Sequence, residues 1–425
     1  NNLQIEEGSK ATVYEPIYVT SSTKVTLTSN HKLVANWTQN TYSVTLNVTN
    51  GTGSSTKTVA YGNSVTFTVS PNSGYKLELE TNTCGGTLSG NTYTISNITS
   101  AKSCSITFKS STPTLYAKLL ADKTMRPNRG SFSSVLTSNN TNTLYTSTEN
   151  GTTVYYFAGN ATDNWVKFGG YYWRIIRTNS DGGVRLLYHG TSTTATDAYI
   201  GTSAFNSSYN NIAYVSYMYG SLGSIPNART NQTNSSTIKT TIDNWYAKNM
   251  TSYTKYLSTT AVYCNDRSTS DNAYFGAYTR LINNKTPKYD CEATEDKFTV
   301  DTSTGNGKLT YPIALMTADE ISFAGGLWAT NAPTWYYYNS ANGSSTGSTD
   351  WWWLLSPSIW SGRYANVFGV GGSSRPGYLV YFNVNSTGGV GVVRPAVSLK
   401  SCVKTSGGDG SASAPYTIKE TTSGC

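Results

Sequence analysis

Between Trp351 and Leu399 the apolar residues recur with a period of two rather than three to four. Val380, Phe382 and Val384 alternate with Tyr381, Asn383 and Asn385, and successive side chains on a strand point to opposite faces. One face is expected to enter a core and the other to present Tyr and Asn to solvent. Loops of Gly, Ser, Asn, Arg and Tyr cut the stretch into short strands. Such residues suit binding loops, because Tyr supplies contact area at low entropic cost. With Ala365–Val367 and Val380–Val384 as strands whose apolar residues point inward, Asn366, Phe368, Tyr381, Asn383 and Asn385 share one solvent-facing surface. The adjoining loops add Ile359, Trp360, Arg363, Tyr364, Ser373, Ser374, Arg375 and Tyr378. The phase slips between Val367 and Val370, which predicts a bulge near Gly369.

The stretch opens on Trp351, Trp352 and Trp353. On a strand Trp352 opposes the other two, so at least one ring belongs to a core, and Trp352 is the expected one. The others, like the run Trp335-Tyr336-Tyr337-Tyr338, are open to two readings: core packing, or a platform for a ligand.

Charged residues make up 13% of the 425 residues, about half the usual share of roughly 25%. Polarity comes instead from Ser, Thr, Asn, Gly and 33 Tyr, which suits an extracellular β protein. The net charge is +8, but Lys and Arg form no run, so no nucleic-acid footprint is present. No apolar run reaches the roughly 18 residues of a membrane span. The first residues carry neither a basic nor an apolar leader segment, so a mature or trimmed fragment is expected. The six cysteines form three local pairs, Cys84 with Cys104, Cys264 with Cys291 and Cys402 with Cys425. None has CxxC spacing; the even count and loop-closing separations predict disulfides and an oxidising compartment.

Along the chain, residues 1–39 read as the tail of a β repeat, with strands at Lys24–Thr28 and Leu33–Trp37. Residues 40–111 form a fuller β unit with strands at Tyr42–Val48, Ser64–Val69, Thr92–Ile95 and Ser105–Phe108, separated by Gly, Asn and Pro turns. A spacer role is expected for it. The remainder, 112–425, starts with a helix capped by Thr112 with Pro113 at its first position. Ser131–Asn150 reads as a surface loop. Strands follow at Thr152–Phe157 and Trp165–Phe168, then a hairpin of Tyr171–Arg177 and Val184–Tyr188 around Asp181-Gly182. Ile238, Ile242 and Trp245 mark one face of a helix over Ser236–Met250. Thr317-x-x-Glu320 is a capping-box pattern, and Gly325-Gly326 stops that helix.

Catalytic chemistry has little to draw on. The chain has two histidines, His31 and His189, too far apart in sequence role to share a site; His189 reads as a hydrogen-bonding surface residue. Gly343-Ser344-Ser345-Thr346-Gly347 matches a nucleophile elbow in letters only, since the strand and helix that strain such a serine are missing. Asp319 and Glu320 are explained by the positive end of a helix dipole. Glu292, Glu295 and Asp296 read as a solvated acidic loop without EF-hand spacing. No catalytic set, metal site or cofactor is expected.

A family resemblance joins these observations. Trp353-Leu354-Leu355-Ser356-Pro357, Ala365-Asn366-Val367-Phe368 and Val393-Arg394-Pro395-Ala396-Val397-Ser398-Leu399 resemble the variable region of proteins diversified by retroelements, and related C-terminal domains of gut-bacterial surface proteins. The likeness continues upstream through Trp165–Arg177, Tyr263–Ser268 and Met316–Glu320, covering about residues 113–425. It implies a C-type-lectin-like fold whose variable residues form a ligand-binding face. The sugar-binding Glu-Pro-Asn, Gln-Pro-Asp and Trp-Asn-Asp patterns of calcium-dependent lectins are absent. Residues 1–111 resemble bacterial surface β repeats. The expected fold class is therefore α+β: a C-type-lectin-like domain with a twisted antiparallel sheet and two or three helices, preceded by small all-β repeats. The expected function is a bacterial surface adhesin or receptor. Its partner is a protein or glycan on another cell or host surface, with no nucleic acid, no cofactor and no membrane span in this fragment. The alternative is a structural or assembly protein without a diversified ligand site.

Overall fold

The computed structural model describes residues 2–5, 33–36, 39–195, 198–269, 273–332, 351–371, 375, 377–386 and 391–425. The chain divides into two compact units, Asn1–Thr112 and Pro113–Cys425. It is mixed and mostly sheet, with 39% strand and 15% helix, so strands supply the scaffold and helices pack beside it.

In the first unit, Asn2–Ile5 pairs antiparallel with Leu33–Asn36; the expected strand at Lys24–Thr28 lies outside the described residues. Four of the strands that follow form one sheet in the order Ser55–Ala60, Thr41–Thr49, Lys102–Ser110, Tyr75–Asn82. A second sheet holds Val65–Thr68, Thr92–Ile95 and Thr87–Ser89. Alternation in Thr41–Thr49 and Lys102–Ser110 sends Val44, Leu46, Cys104, Ile106 and Phe108 into a core with Phe67, Tyr93 and Ile95. Cys84 and Cys104 are bonded, with Cα atoms 5.4 Å apart. The strands Ser55–Ala60 and Tyr75–Asn82 escape sequence reading because both sit at sheet edges and are largely exposed, so no buried face leaves its imprint on the residues.

The second unit is built on a ten-stranded sheet. The expected hairpin is its centre: Tyr171–Thr178 pairs antiparallel with Val184–Gly190. Asn179 N–H and Gly183 C=O close the turn at 2.8 Å, and Gly182 takes φ +76°, where a side chain is strained. Val184–Gly190 pairs in turn with Pro395–Leu399, and that strand with Ile313–Leu315. A five-stranded sheet carries the C-terminal stretch in the order Leu327–Trp328, Tyr378–Asn383, Ala365–Gly371, Trp351–Trp360, Gly391–Val392. The two other expected disulfides are present, Cys264–Cys291 and Cys402–Cys425.

The helices follow their caps. Ser236 caps Thr237–Asn249, which buries Ile238, Ile242 and Tyr246. Thr317 and Glu320 form both arms of a capping box on Ala318–Ala324, and Gly325 ends it at φ +115°. The first helix differs from expectation: it runs Leu115–Asp122 with Thr114, not Thr112, as its cap. Pro113 C=O accepts from Thr405 N–H at 3.1 Å and Thr114 bridges Lys404, so this segment is held extended and the helix starts later. Ser131–Asn150 is also not a loop throughout. Thr143–Glu149 is a strand paired with Thr152–Tyr156, and Leu144 is buried.

Three polar groups are interior, two of which, His189 and Asp296, the sequence places at the surface. His189 is fully buried, 4.3 Å edge-on to Trp165. Burial, then the guanidinium groups of Arg394 and Arg174, push its pKa well down, so it stays neutral. Asp296 is buried and takes Arg267 Nε at 2.7 Å and Arg229 Nη2 at 2.5 Å. Glu320 is buried between Arg177 Nε at 3.0 Å and Arg185 Nη1 at 2.8 Å. Sequence assigns carboxylates to solvent by default; here tertiary neighbours supply the cations that make burial tolerable.

Candidate recognition face

The five-stranded sheet keeps the expected alternation but not the expected inside and outside. Asn366 pairs with Asn383, Val367 with Phe382 and Phe368 with Tyr381, so Asn366, Phe368, Tyr381 and Asn383 do share one face. Both faces are covered, however. On the Tyr381 side Phe368, Val370 and Leu379 are buried; on the Phe382 side Val367 and Trp353 are buried. Period-two patterning reveals which residues are co-facial, and it separates core from solvent only when one side of the sheet is open.

Individual residues must be corrected accordingly. Phe368 is fully buried and meets the edge of Trp328 at 6.3 Å. Asn366 is 8% exposed. Its amide donates to Tyr364 C=O at 3.0 Å and Ile359 C=O at 3.4 Å, so it fastens the 359–364 hairpin instead of projecting. Tyr378, Tyr381, Asn383 and Asn385 are half-buried, as are Ile359, Trp360 and Tyr364, and Arg363 and Arg375 are exposed. Val384 is buried as expected, while Val380 and Phe382 are half-buried. Ser373 and Ser374 lie outside the described residues, as do Trp335–Tyr338 and the serine of the Gly343–Gly347 motif.

All three tryptophans are core. Trp351 and Trp353 share a face, their rings 4.3 Å apart edge-to-face, and Trp351 stacks on Phe382 at 3.6 Å. Trp353 Nε1 donates to Ser203 C=O at 2.7 Å. Trp352 occupies the opposite face beneath the Arg394 guanidinium, 4.8 Å from the ring centre. A ligand platform on Trp351 or Trp353 is therefore ruled out by burial. The expected bulge is displaced across the ladder. Gly369 pairs regularly, and the register shifts fall in the partner strand between Trp353, Pro357 and Trp360, where a proline fits because a bulge needs no ladder hydrogen bond. Gly369 instead permits a close approach, since a Cβ there would meet the Phe382 ring and Trp352 C=O at 3.0 Å.

What remains open at the surface is a band of aromatic rings, partly from outside residues 351–399. Trp328 stacks on Tyr381 at 5.3 Å and 17°. Tyr278 lies 6.4 Å from both rings, and Tyr274 follows at 4.6 Å from Tyr278. Tyr274 is 42% exposed. It is positioned by its bridge to Ile359 and by Trp360 N–H donating to Ala273 C=O at 2.7 Å. Beyond the 359–364 hairpin, Tyr364 stacks on Tyr209 at 5.3 Å, with the Arg363 guanidinium 5.1 Å over the Tyr364 ring. Sequence reading missed Trp328, Tyr278, Tyr274 and Tyr209, since nothing local marks them; the only signal was the density of Tyr itself.

A buried ion network stiffens the unit beneath. Glu149 takes Arg177 Nη2 at 2.7 Å; burial would raise its carboxyl, but Arg177 brings the pKa down to about 2. Arg280 joins Asp319 at 2.9 Å and Asp266 at 2.6 Å. A cavity of about 220 Å³ bordered by Glu149, Asp181, Thr260 and Lys297 touches none of the aromatic band. Among the described residues no three metal-ligating side chains cluster, and no helix is long and apolar enough to cross a membrane. Comparison with protein-family models, curated proteins and solved structures returned no match for this chain.

Proposed function

We propose that the chain is a surface-displayed binding protein whose second unit, a lectin-like domain, engages a protein or glycan through the aromatic band. The observation that carries this is the continuous run Trp328, Tyr381, Tyr278, Tyr274, held on the sheet and on the short helix Gly276–Tyr278 and the segment before it, with its outer ring exposed. Trp and Tyr so held bury large areas on binding at little entropic cost. The mixture of antiparallel sheet and short capped helices is compatible with the lectin-type fold that the sequence motifs imply. Disulfides support an exported chain, and the β unit before Thr112 suits a spacer. We further propose that residues such as Tyr364, Tyr381, Asn383 and Asn385 are exchangeable positions on a fixed tryptophan-rich frame, as in retroelement-diversified proteins. Sequencing the locus in related strains, with a search for a reverse-transcriptase gene and a template copy, tests that part.

Binding itself is tested on a glycan array and a displayed peptide library with the unaltered protein, Tyr381→Ala and Tyr274→Ala, melting temperature being followed alongside. Ligands that both substitutions weaken about ten-fold, with folding intact, are expected. Ligands indifferent to both would remove the band as the site. Concentration-dependent self-association abolished by the same substitutions would favour an assembly role instead.

A further inference from the structure

Five arginines of the second unit are tied to carboxylates. Arg177, Arg185, Arg229, Arg267 and Arg280 are each ion-paired to Glu149, Glu320, Asp296, Asp266 or Asp319. Arg363 is exposed and has no carboxylate among the described residues; it lies against the face of Tyr364. The turn that carries it is fixed. Ser361 Oγ accepts from Tyr364 N–H at 2.9 Å, the Asn366 amide holds Tyr364 C=O, and Tyr209 backs the Tyr364 ring. A guanidinium laid on an aromatic ring stays planar and keeps its outer N–H fork free for a carboxylate.

The surrounding sequence is also selective in its charges. Residues 351–399 contain no Asp, no Glu and no Lys, but three Arg; of these, Arg394 is buried, while Arg363 and Arg375 are exposed, each over a tyrosine ring, Tyr364 and Tyr378. Burial in the unit's own core accounts for that lack over most of the stretch; its exposed described positions are Ser361, Gly362, Arg363 and Arg375, so the charge it shows at the surface is positive only. With no acid of its own, this stretch meets an acidic partner without like-charge contact, and an Arg-rich or Lys-rich partner would be repelled.

Taking the aromatic band as the binding site, as proposed above, we infer that its partner is a protein surface carrying carboxylates, read by Arg363 at the Tyr364–Tyr209 corner. The aromatic rings supply buried area, and Arg363 supplies the choice of charge.

The test uses the full chain on an array of random peptides sorted by net charge, with a parallel glycan array containing acidic and neutral sugars. The inference expects bound peptides enriched in Asp and Glu, and binding that weakens as salt rises. Arg363→Glu should lower binding of acidic peptides at least ten-fold and remove the enrichment. Lys308→Glu, which alters an exposed cation outside 351–399 by the same charge, should leave it in place. Absence of peptide binding, no charge preference, a preference that survives Arg363→Glu, or binding confined to glycans would each overturn the inference. Tyr381→Ala separates the two levels. If it abolishes binding that shows no charge preference, the band is the site and only the acidic partner fails. If it changes nothing, both fail.

Discussion

Removing the Glu320 carboxylate is expected to be among the most damaging single changes in the second unit. Its side chain is 1% exposed and serves three donors: Arg177 Nε at 3.0 Å, Arg185 Nη1 at 2.8 Å and the Thr317 N–H at 3.0 Å. Arg177 retains Glu149, but Arg185 keeps only neutral acceptors, Val262 C=O at 2.5 Å and Ser398 Oγ at 3.3 Å. Glu320→Ala thus strands a buried cation and opens the capping box. Breaking a buried pair costs about 3–5 kcal/mol, and the lost hydrogen bond to the Thr317 N–H adds about 1 kcal/mol. In a unit of this size each kcal/mol lowers Tm by roughly 2 °C, so a fall of roughly 8–12 °C is expected by calorimetry with disulfides intact. Glu320→Gln keeps the shape and part of the hydrogen bonding and should lose less. The double variant Arg185→Met/Glu320→Leu should cost less than the sum of its parts, because no charge is left alone. A loss below about 1 kcal/mol for Glu320→Ala would show that the network contributes little to holding the unit together.

Acid should erode the same region. Glu149 has its pKa depressed from 4.5 to about 2, so its contribution, about 3 kcal/mol, is present above pH 4.5 and is lost as pH falls toward 2. Glu149→Gln should flatten that part of a pH–stability curve measured by urea unfolding. Phe368→Ala empties a fully buried site and should cost about 3–5 kcal/mol, whereas Tyr381→Ala should cost distinctly less in folding and roughly 1–3 kcal/mol in binding; equal folding losses would mean that the two sites are equally buried. Replacing Cys264 and Cys291 by Ser should cost about 2–4 kcal/mol, read from denaturant midpoints, and non-reducing peptide mapping should return the three local bridges.

Several features were legible from residues alone because they depend on near neighbours in the chain. The capping box at Thr317 and Glu320, the helix after Ser236, the hairpin around Asp181-Gly182 and the three cysteine pairs are all short-range, and each is present. Co-facial pairing in the Ala365–Gly371 and Tyr378–Asn383 strands was legible for the same reason, since a strand fixes the period of its own side chains. What lay beyond the sequence was what stands opposite each face. Phe368 is sealed because Trp328, distant in the chain, covers it. His189 is interior because the Trp165 ring packs against it, and Asp296 and Glu320 because arginines from distant segments reach them. The aromatic band exists only because Trp328, Tyr278 and Tyr274 are brought beside Tyr381. Periodicity and caps are properties of a local backbone, so sequence determines them; burial and recognition are properties of contacts between distant segments, and only the tertiary structure decides those.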